Sequence, residues 1–288
     1  MRSILFFTIL LLATACSKPV ANFLVEGDTQ LISPITFTNI STNAEKYTWK
    51  VDDKIVSEDV NLQYNFYESG RHSVQLIATK GNKSVSESND VFINPPTTCL
   101  VLLKTNFGNM TLSLNEETPM HLQNFVEMVN SGYYEGVIFH RVMDGFMIQG
   151  GDDKLRKTKF KGKIPDVIQP EINNSLYHIR GALAAARMPD EINPGKNSSS
   201  TQFYIVDGRS VDEDKLKDTE SSKLINYSDE QIEGYLSNGG APQLDGEYTV
   251  FGFLVDGFDV LESISVVKTN ERDKSLEEVV ILEAKILN

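Results

Sequence analysis

The sequence predicts a mostly β protein of two domains, and three observations carry this prediction. Short runs of alternating apolar and polar residues, separated by turn residues every ~8–12 positions, fill residues 21–94. Two adjacent prolines, Pro95 and Pro96, then interrupt the chain. Residues 99–288 combine further strand patterns with amphipathic helical patterns. With 288 residues, 40% of them hydrophobic, the chain can bury two separate cores.

The first residues have the pattern of an export signal. Arg2 supplies a positive charge, and residues 4–12 form an apolar run far shorter than the ~20 residues that span a membrane. Small residues at 13–15 then precede Cys16. This order resembles a bacterial lipobox, which implies a lipoprotein signal over residues 1–16, acylation of Cys16, and a lipid anchor in the cell envelope, facing the periplasm or in the outer membrane. The alternative is an ordinary secretory signal with an incidental cysteine.

The composition limits the partners and cofactors. A formal charge of −13 argues against nucleic acid or anionic lipid as the main partner. Four histidines and two cysteines, without the spacing of a zinc site, lead us to expect no metal and no other cofactor. We expect a monomer, with Cys99 as a buried strand thiol and with His140 and His178 as structural hydrogen-bonding residues.

Residues 21–94 predict an antiparallel sandwich of short strands, closed at one end by a turn at 80–83. Four motifs resemble a polycystic-kidney-disease (PKD) domain, an immunoglobulin-like module of extracellular proteins. This resemblance implies an immunoglobulin-like β-sandwich with Trp49, the only tryptophan, in its core. The motifs are Ala-Asn-Phe at 21–23, Phe-Thr-Asn at 37–39, Tyr-Thr-Trp at 47–49 and Tyr-Glu-Ser-Gly at 67–70.

The second domain follows a short, semi-rigid linker at 95–98, where two prolines favour an extended chain. Thr118 and Pro119 have the residue types of a helix N-cap and first helical position, so they predict a helix that ends at Ser131-Gly132. Other local patterns predict a hairpin over 100–104 and 110–114, a helix near 259–267, a closing strand at 279–286, and a helix with a capping box from Ser228 to Gln231 inside an insertion at 207–242.

The most specific motif lies in residues 139–152, which read Phe-His-Arg-Val-Met-Asp-Gly-Phe-Met-Ile-Gln-Gly-Gly-Asp. It places Arg141 among large apolar side chains. Because an arginine against an apolar wall is costly to desolvate, the pattern indicates that Arg141 has either an interaction partner or a functional role. With three later blocks, it resembles the cyclophilins, a family of peptidyl-prolyl isomerases. The resemblance covers nearly all of residues 99–288 and implies an eight-stranded antiparallel β-barrel with two main helices, here with an inserted helical segment.

The resemblance also implies a set of site residues. Arg141 matches the catalytic cation, and Gln149 matches the residue that bonds the substrate backbone. Gln202 matches a residue that bonds the substrate or orients Arg141. Gln243 stands where some members have a tryptophan that helps to bind cyclosporin, which puts tight cyclosporin binding in doubt. The remaining substrate-binding positions are Phe146, Met147, Ala186, Arg187, Tyr204, Leu244 and Tyr248.

The chemistry of such a site needs a cation and a dry pocket. Rotation about a peptide C–N bond costs ~18–20 kcal/mol, and the two Xaa-Pro isomers exchange slowly. A guanidinium can donate to the prolyl nitrogen only when the amide is twisted, which favours the transition state over the planar ground state. We therefore expect an isomerase that acts on proline-containing segments of exported proteins. The alternative is a non-catalytic proline-peptide-binding module of a cell-envelope adhesion or scaffold protein.

Overall fold

The structure is a computed structural model that describes residues 18–287, so the predicted signal and Cys16 lie outside the described residues. The chain divides into two compact units, Met1–Pro95 and Pro96–Asn288. No helix within the described part of the chain is long and apolar enough to cross a membrane.

The first unit is a β-sandwich of two antiparallel sheets, with strand orders β1-β2-β5 and β4-β3-β6-β7. Trp49 is fully buried in its core, where its ring lies edge-on to Phe23 with centroids 5.2 Å apart. The predicted core role of Trp49 is therefore confirmed. The strands are β1 (Phe23–Glu26), β2 (Pro34–Asn39), β3 (Lys46–Val51), β4 (Lys54–Ser57), β5 (Leu62–Asn65), β6 (Gly70–Lys80) and β7 (Lys83–Ile93).

The second unit is an eight-stranded antiparallel sheet that curls into a barrel, in the order β10-β11-β13-β12-β14-β9-β8-β15. Its two outer strands meet through a bridge between Ile138 and Val280, next to β10 and β15. The amide of Phe139 also donates to the Val279 carbonyl at 2.9 Å. The strands are β8 (Leu100–Thr105), β9 (Gly108–Leu114), β10 (Phe139–Met143), β11 (Met147–Gly150), β12 (Ala182–Arg187), β13 (Ser198–Val206), β14 (Val250–Asp256) and β15 (Ile281–Leu287).

Two of the four α-helices in the described part of the chain pack against the core inside the curled sheet. Helix α1 (Pro119–Asn130) buries Phe125 and Val129, and helix α4 (Phe258–Ser265) buries Leu261 and Ile264 in the same cluster. Because α1 and α4 cover this core, the predicted barrel with two main helices is confirmed. Helices α2 (Glu213–Lys223) and α3 (Asp229–Asn238) both belong to the insertion.

The predicted cap of α1 is wrong. Thr118 occupies the N-cap position, but its side chain makes no capping hydrogen bond and its hydroxyl instead donates to the Asn115 carbonyl. The carboxylate of Glu171 caps the helix from outside, accepting the amides of Met120 and His121 at 3.0 and 2.9 Å. A carboxylate suits this end because it satisfies free amides and complements the helix dipole.

One other local prediction needs correction, and another is confirmed. In the insertion, Asp212 caps α2 through the Lys215 amide, and the helix begins at Glu213. Cys99 is half-buried and precedes β8 rather than lying in it, although it packs against the core and burial raises the pKa of its thiol. The capping box of Ser228 and Gln231 is confirmed, since each side chain bonds the other's backbone amide.

The sheet separates two apolar clusters by strand alternation. Residues such as Phe139, Ile148 and Phe203 point into the core inside the barrel. Their neighbours Met147 and Tyr204 point to the opposite face, where they form a second buried cluster with Ala182, Ala184 and Ala186 of β12. The outer face of the sheet is therefore partly apolar, and it carries the predicted site.

Candidate active site

Arg141 reaches the outer face because β10 contains a bulge. The register with β11 shifts between Phe139 and Arg141, so Phe139 stays in the core while Arg141 lies opposite Gln149. Gln149 in turn lies opposite Tyr204 on β13. Three strands thus place an arginine, a glutamine and a tyrosine in one row across the outer face.

The guanidinium of Arg141 is less buried than the sequence suggests. Its side chain is 42% exposed, on the strand β10 at the end of the strand order. Its Nη2 atom lies 3.0 Å from the Met143 sulfur and 3.4 Å from Asp273 Oδ2. Among residues 18–287 these are the hydrogen bonds of the Arg141 side chain, so the donors on its other nitrogens are available to a ligand.

A cavity of about 120 Å³, here called the central cavity, lies beside Arg141. It brings together nine of the ten residues that the sequence predicts for the site in this domain, drawn from four separate segments. Met147 and Tyr204 are buried in its wall, while Phe146 and Leu244 are half-buried at its sides. The lining residues are Arg141, Phe146, Met147, Gln149, Ala186, Arg187, Tyr204, Leu244 and Tyr248.

The tenth predicted residue, Gln202, lies next to this cavity. Its side-chain oxygen accepts from Gln149 Nε2 at 3.1 Å, so Gln202 orients Gln149 and has no hydrogen bond to Arg141. Gln202 lines a second cavity of about 700 Å³, the side cavity, which shares Gln149, Ala186 and Arg187 with the central cavity. The two cavities are therefore adjacent, and we refer to them together as the groove.

Arg187 forms one wall of the central cavity through its side chain as well as its backbone. Its guanidinium lies 4.7 Å above the Tyr248 ring, and its Nε donates to the Glu247 carbonyl at 2.9 Å. Glu247 also pairs with Lys196 at 2.6 Å, and hydrogen bonding to Lys196 holds the pKa of its carboxyl below the usual range. Arg187 therefore fixes Tyr248 at the edge of the groove.

A buried hydrogen-bond network supports the cavity from behind, and the sequence analysis missed it. The Tyr204 hydroxyl lies 2.9 Å from His178 Nε2, and His178 Nδ1 lies 2.7 Å from Asp245 Oδ1. The other carboxylate oxygen of Asp245 accepts from Tyr227 at 2.7 Å and from Tyr235 at 2.5 Å. We call these five residues the tyrosine network.

The network explains the structural role predicted for His178. His178 and Asp245 are 1% and 5% exposed, and Tyr235 is fully buried. Burial, followed by the charge of Asp245, raises the pKa of Tyr227 and Tyr235, so both hydroxyls remain donors. One signal for this arrangement was present in the sequence, namely the tyrosines clustered in the insertion, but the acceptor that they share could not be predicted from it.

The acidic and histidine side chains show no arrangement suited to a metal. Within the described residues, no group of three or more histidine, cysteine, aspartate or glutamate side chains is positioned to hold an ion. The groove itself offers a cation, two amides and apolar walls. Such a set can bind a peptide backbone and stabilise developing negative charge or a lone pair.

Comparison with known proteins relates most of the second unit to one protein family. The family described as cyclophilin type peptidyl-prolyl cis-trans isomerase/CLD matches residues 100–286. A putative peptidyl-prolyl cis-trans isomerase of Staphylococcus saprophyticus subsp. saprophyticus is 34% identical over 184 residues, which are 63% of this chain and 88% of that protein. A crystal structure of a cyclophilin type peptidyl-prolyl cis-trans isomerase from Cryptosporidium parvum is 26% identical, with a TM-score of 0.50, covering 66% of this chain and 98% of that one.

A longer relative is also similar to this chain. A putative bifunctional phosphatase/peptidyl-prolyl cis-trans isomerase of Streptococcus pyogenes serotype M6 is 38% identical over 194 residues, which are 63% of this chain and 37% of that protein. This chain thus spans little more than a third of that relative's length. The barrel, the motif blocks and these matches place the chain in the cyclophilin-type peptidyl-prolyl cis-trans isomerase family. Its enzyme class is peptidyl-prolyl cis-trans isomerase.

Proposed function

We propose that the protein accelerates cis/trans isomerisation of Xaa-Pro bonds in exported polypeptides, with Arg141 as the catalytic residue. The observation that carries this proposal is the central cavity, where side chains from four segments surround a space of about 120 Å³ beside the guanidinium. Phe146, Met147, Tyr204 and Leu244 would hold the proline ring in this space.

The geometry supports a mechanism without bond breaking. Gln149, held by Gln202, would bind the substrate backbone next to Arg141, which lies directly opposite it in the sheet. The guanidinium is held on one side by Asp273 and Met143, so its remaining donors can address the prolyl nitrogen. These donors stabilise the nitrogen lone pair, which is available only in the twisted amide.

The cellular setting is part of the same proposal. The lipobox-like segment that ends at Cys16 supports a lipid anchor in the cell envelope. The seven strands and buried Trp49 of the first unit are in keeping with a PKD-like module that would act as a spacer. Clients would then be proline-containing segments of proteins that fold after export.

Replacing Arg141 tests the catalytic assignment. We expect Arg141→Ala to lower kcat/KM for a proline-containing peptide about 100-fold, since removing one preorganised donor typically costs 10²–10³ in rate. Arg141→Lys keeps the charge but loses the planar fork, so we expect it to remain strongly impaired. The measurement is the exchange rate of the peptide followed by NMR, beside the uncatalysed rate.

The control is Arg272→Ala, which removes an exposed arginine from the turn near Asp273 and should keep the wild-type rate. If wild type and Arg141→Ala accelerate exchange equally, the role of Arg141 is wrong. If wild type binds the peptide without accelerating exchange, the groove is a binding module instead of an enzyme.

A further inference from the structure

We propose that Tyr227 and Tyr235 of the insertion are positioning residues of the active site, which act on the substrate pocket through Asp245, His178 and Tyr204. This inference rests on the proposed isomerase function, because the pocket wall in question is the one that would hold the proline ring. Neither tyrosine lines the central cavity. Their effect must therefore pass through the tyrosine network.

The hydrogen bonds that Asp245 accepts determine which atom donates and which atom accepts in the rest of the tyrosine network. Its Oδ1 accepts from the amide and from Nδ1 of His178 at 2.8 and 2.7 Å, and its Oδ2 accepts from both tyrosines of the insertion. Four donors on one carboxylate match an acceptor-only group. His178 therefore carries a proton on Nδ1, and in this tautomer its Nε2 accepts from the Tyr204 hydroxyl.

The Tyr204 ring is consequently fixed in two ways. Its hydroxyl is held by His178, and its plane lies nearly parallel to the imidazole, at 13° with the centroids 6.0 Å apart. The Tyr248 ring meets it edge-on at 5.8 Å. Tyr204 and Tyr248 both line the central cavity, so a rotation or shift of His178 changes the shape of that cavity. A phenylalanine at 204 would lack the hydroxyl link to the insertion.

The insertion is well suited to hold this arrangement. Helix α3 buries Tyr235 completely, and the chain after it returns along His178, whose carbonyl accepts from the Ala241 amide at 2.8 Å. A side chain at Gly240 would overlap that carbonyl, with a Cβ only 2.4 Å from the oxygen. The close approach of the Gly240 backbone and the two hydroxyl donors of the insertion thus hold His178 and Asp245 together. Buried hydrogen-bond networks of this kind are strong only when every polar atom in them has a partner.

Phenylalanine substitutions test the proposal with little change in volume. We expect Tyr235→Phe to raise KM for an Xaa-Pro peptide about fivefold while kcat changes less than about twofold, because the pocket loosens but Arg141 stays in place. The matched control is Tyr177→Phe. Its ring packs on Tyr235 at 5.2 Å, but its hydroxyl lies over Gly234, outside the network.

A double-mutant cycle separates positioning from a general structural role. In the Tyr204→Phe background the link to the cavity is already broken, so Tyr235→Phe should change KM less than about 1.5-fold. If Tyr235→Phe prevents folding, Tyr227→Phe at a half-buried site gives the deciding measurement in the same cycle. The inference would be overturned if the network variants had the same KM as Tyr177→Phe. It would also be overturned if Tyr235→Phe changed KM by the same factor in the wild-type and Tyr204→Phe backgrounds.

Wild type and Arg141→Ala are measured in the same assay. If wild type is no faster than Arg141→Ala, the proposed catalytic function has failed. If wild type is faster but the network variants match Tyr177→Phe, only the positioning role has failed.

Discussion

Gly151 shows how a single residue fixes the geometry of the groove. It follows β11 with a φ of +95°, and a Cβ at this position would lie 2.0 Å from the Thr201 carbonyl oxygen. Its own carbonyl accepts the hydroxyl of the buried Tyr133 at 3.0 Å. The second glycine of the Gly-Gly pair therefore lets β11 leave the sheet close to the segment that carries Gln202.

We expect Gly151→Ala to destabilise the second unit by about 3–5 kcal/mol, since it adds both a strained φ and a backbone overlap. The control is Gly132→Ala, where φ is +71° but no atom lies nearer than 3.9 Å to the added Cβ. That variant should lose only about 1 kcal/mol. The free energy of unfolding in urea, followed by helical circular dichroism, distinguishes them, and equal losses would refute the steric argument.

At the scale of an element, α1 depends on a residue far away in the sequence. Glu171 lies 50 residues from His121 yet accepts its amide and its Nδ1, the latter at 2.6 Å. Burial alone would raise the pKa of Glu171, but the hydrogen bonds from His121 and the Met120 amide outweigh it and lower the pKa below 4.5. Burial lowers the pKa of His121 below 6.5, against the opposing effect of Glu171.

These shifts predict a pH-dependent loss of stability. We expect Glu171→Gln to cost about 1–2 kcal/mol at neutral pH, in keeping with hydrogen bonds to a charged group. The contribution of Glu171 to the free energy of unfolding is complete above pH 4.5 and is lost as the pH falls through its lower folded-state pKa. The difference in stability between wild type and variant should therefore close on acidification. His121 also favours the unfolded state as the pH falls below 6.5.

Urea unfolding at neutral and acidic pH, followed by helical circular dichroism, measures this gap. Glu116→Gln is the control, because Glu116 is exposed near the same helix end. A gap that stays constant on acidification, or equal losses in the two variants, would contradict the capping argument.

Some features of this unit can be predicted from residues that are neighbours in the sequence, and others cannot. The motif at 139–152 indicated Arg141 and its apolar neighbours because these residues are adjacent in the sequence. Simple strand alternation would have placed Arg141 on the same face as Phe139, and the bulge that turns it to the outer face could not be predicted. The cap of α1 was assigned to Thr118 because local rules consider only adjacent residues. The link from Tyr204 to His178 and on to Asp245 spans 26 and 67 residues, and only the folded sheet brings these side chains together.

At the scale of the whole molecule, the site and its supports belong to one of the two units. All lining residues of the central cavity and all members of the tyrosine network lie between positions 141 and 248, inside the unit Pro96–Asn288. The family match likewise covers residues 100–286. Attachment and catalysis should therefore be separable, which makes the proposed anchor at Cys16 testable without disturbing the enzyme.

We expect Cys16→Ser to move the protein from the membrane fraction to the soluble fraction and to abolish labelling by a radioactive fatty acid, because acylation requires the thiol. The kcat/KM of the purified variant should equal that of wild type, since no residue of the groove changes. Cys99→Ser is the control, because it removes the other thiol, which is half-buried against the barrel core, and should retain the label. Fatty-acid labelling that persists in Cys16→Ser would rule out the anchor, whereas lost activity would show that the first segment contributes to the site.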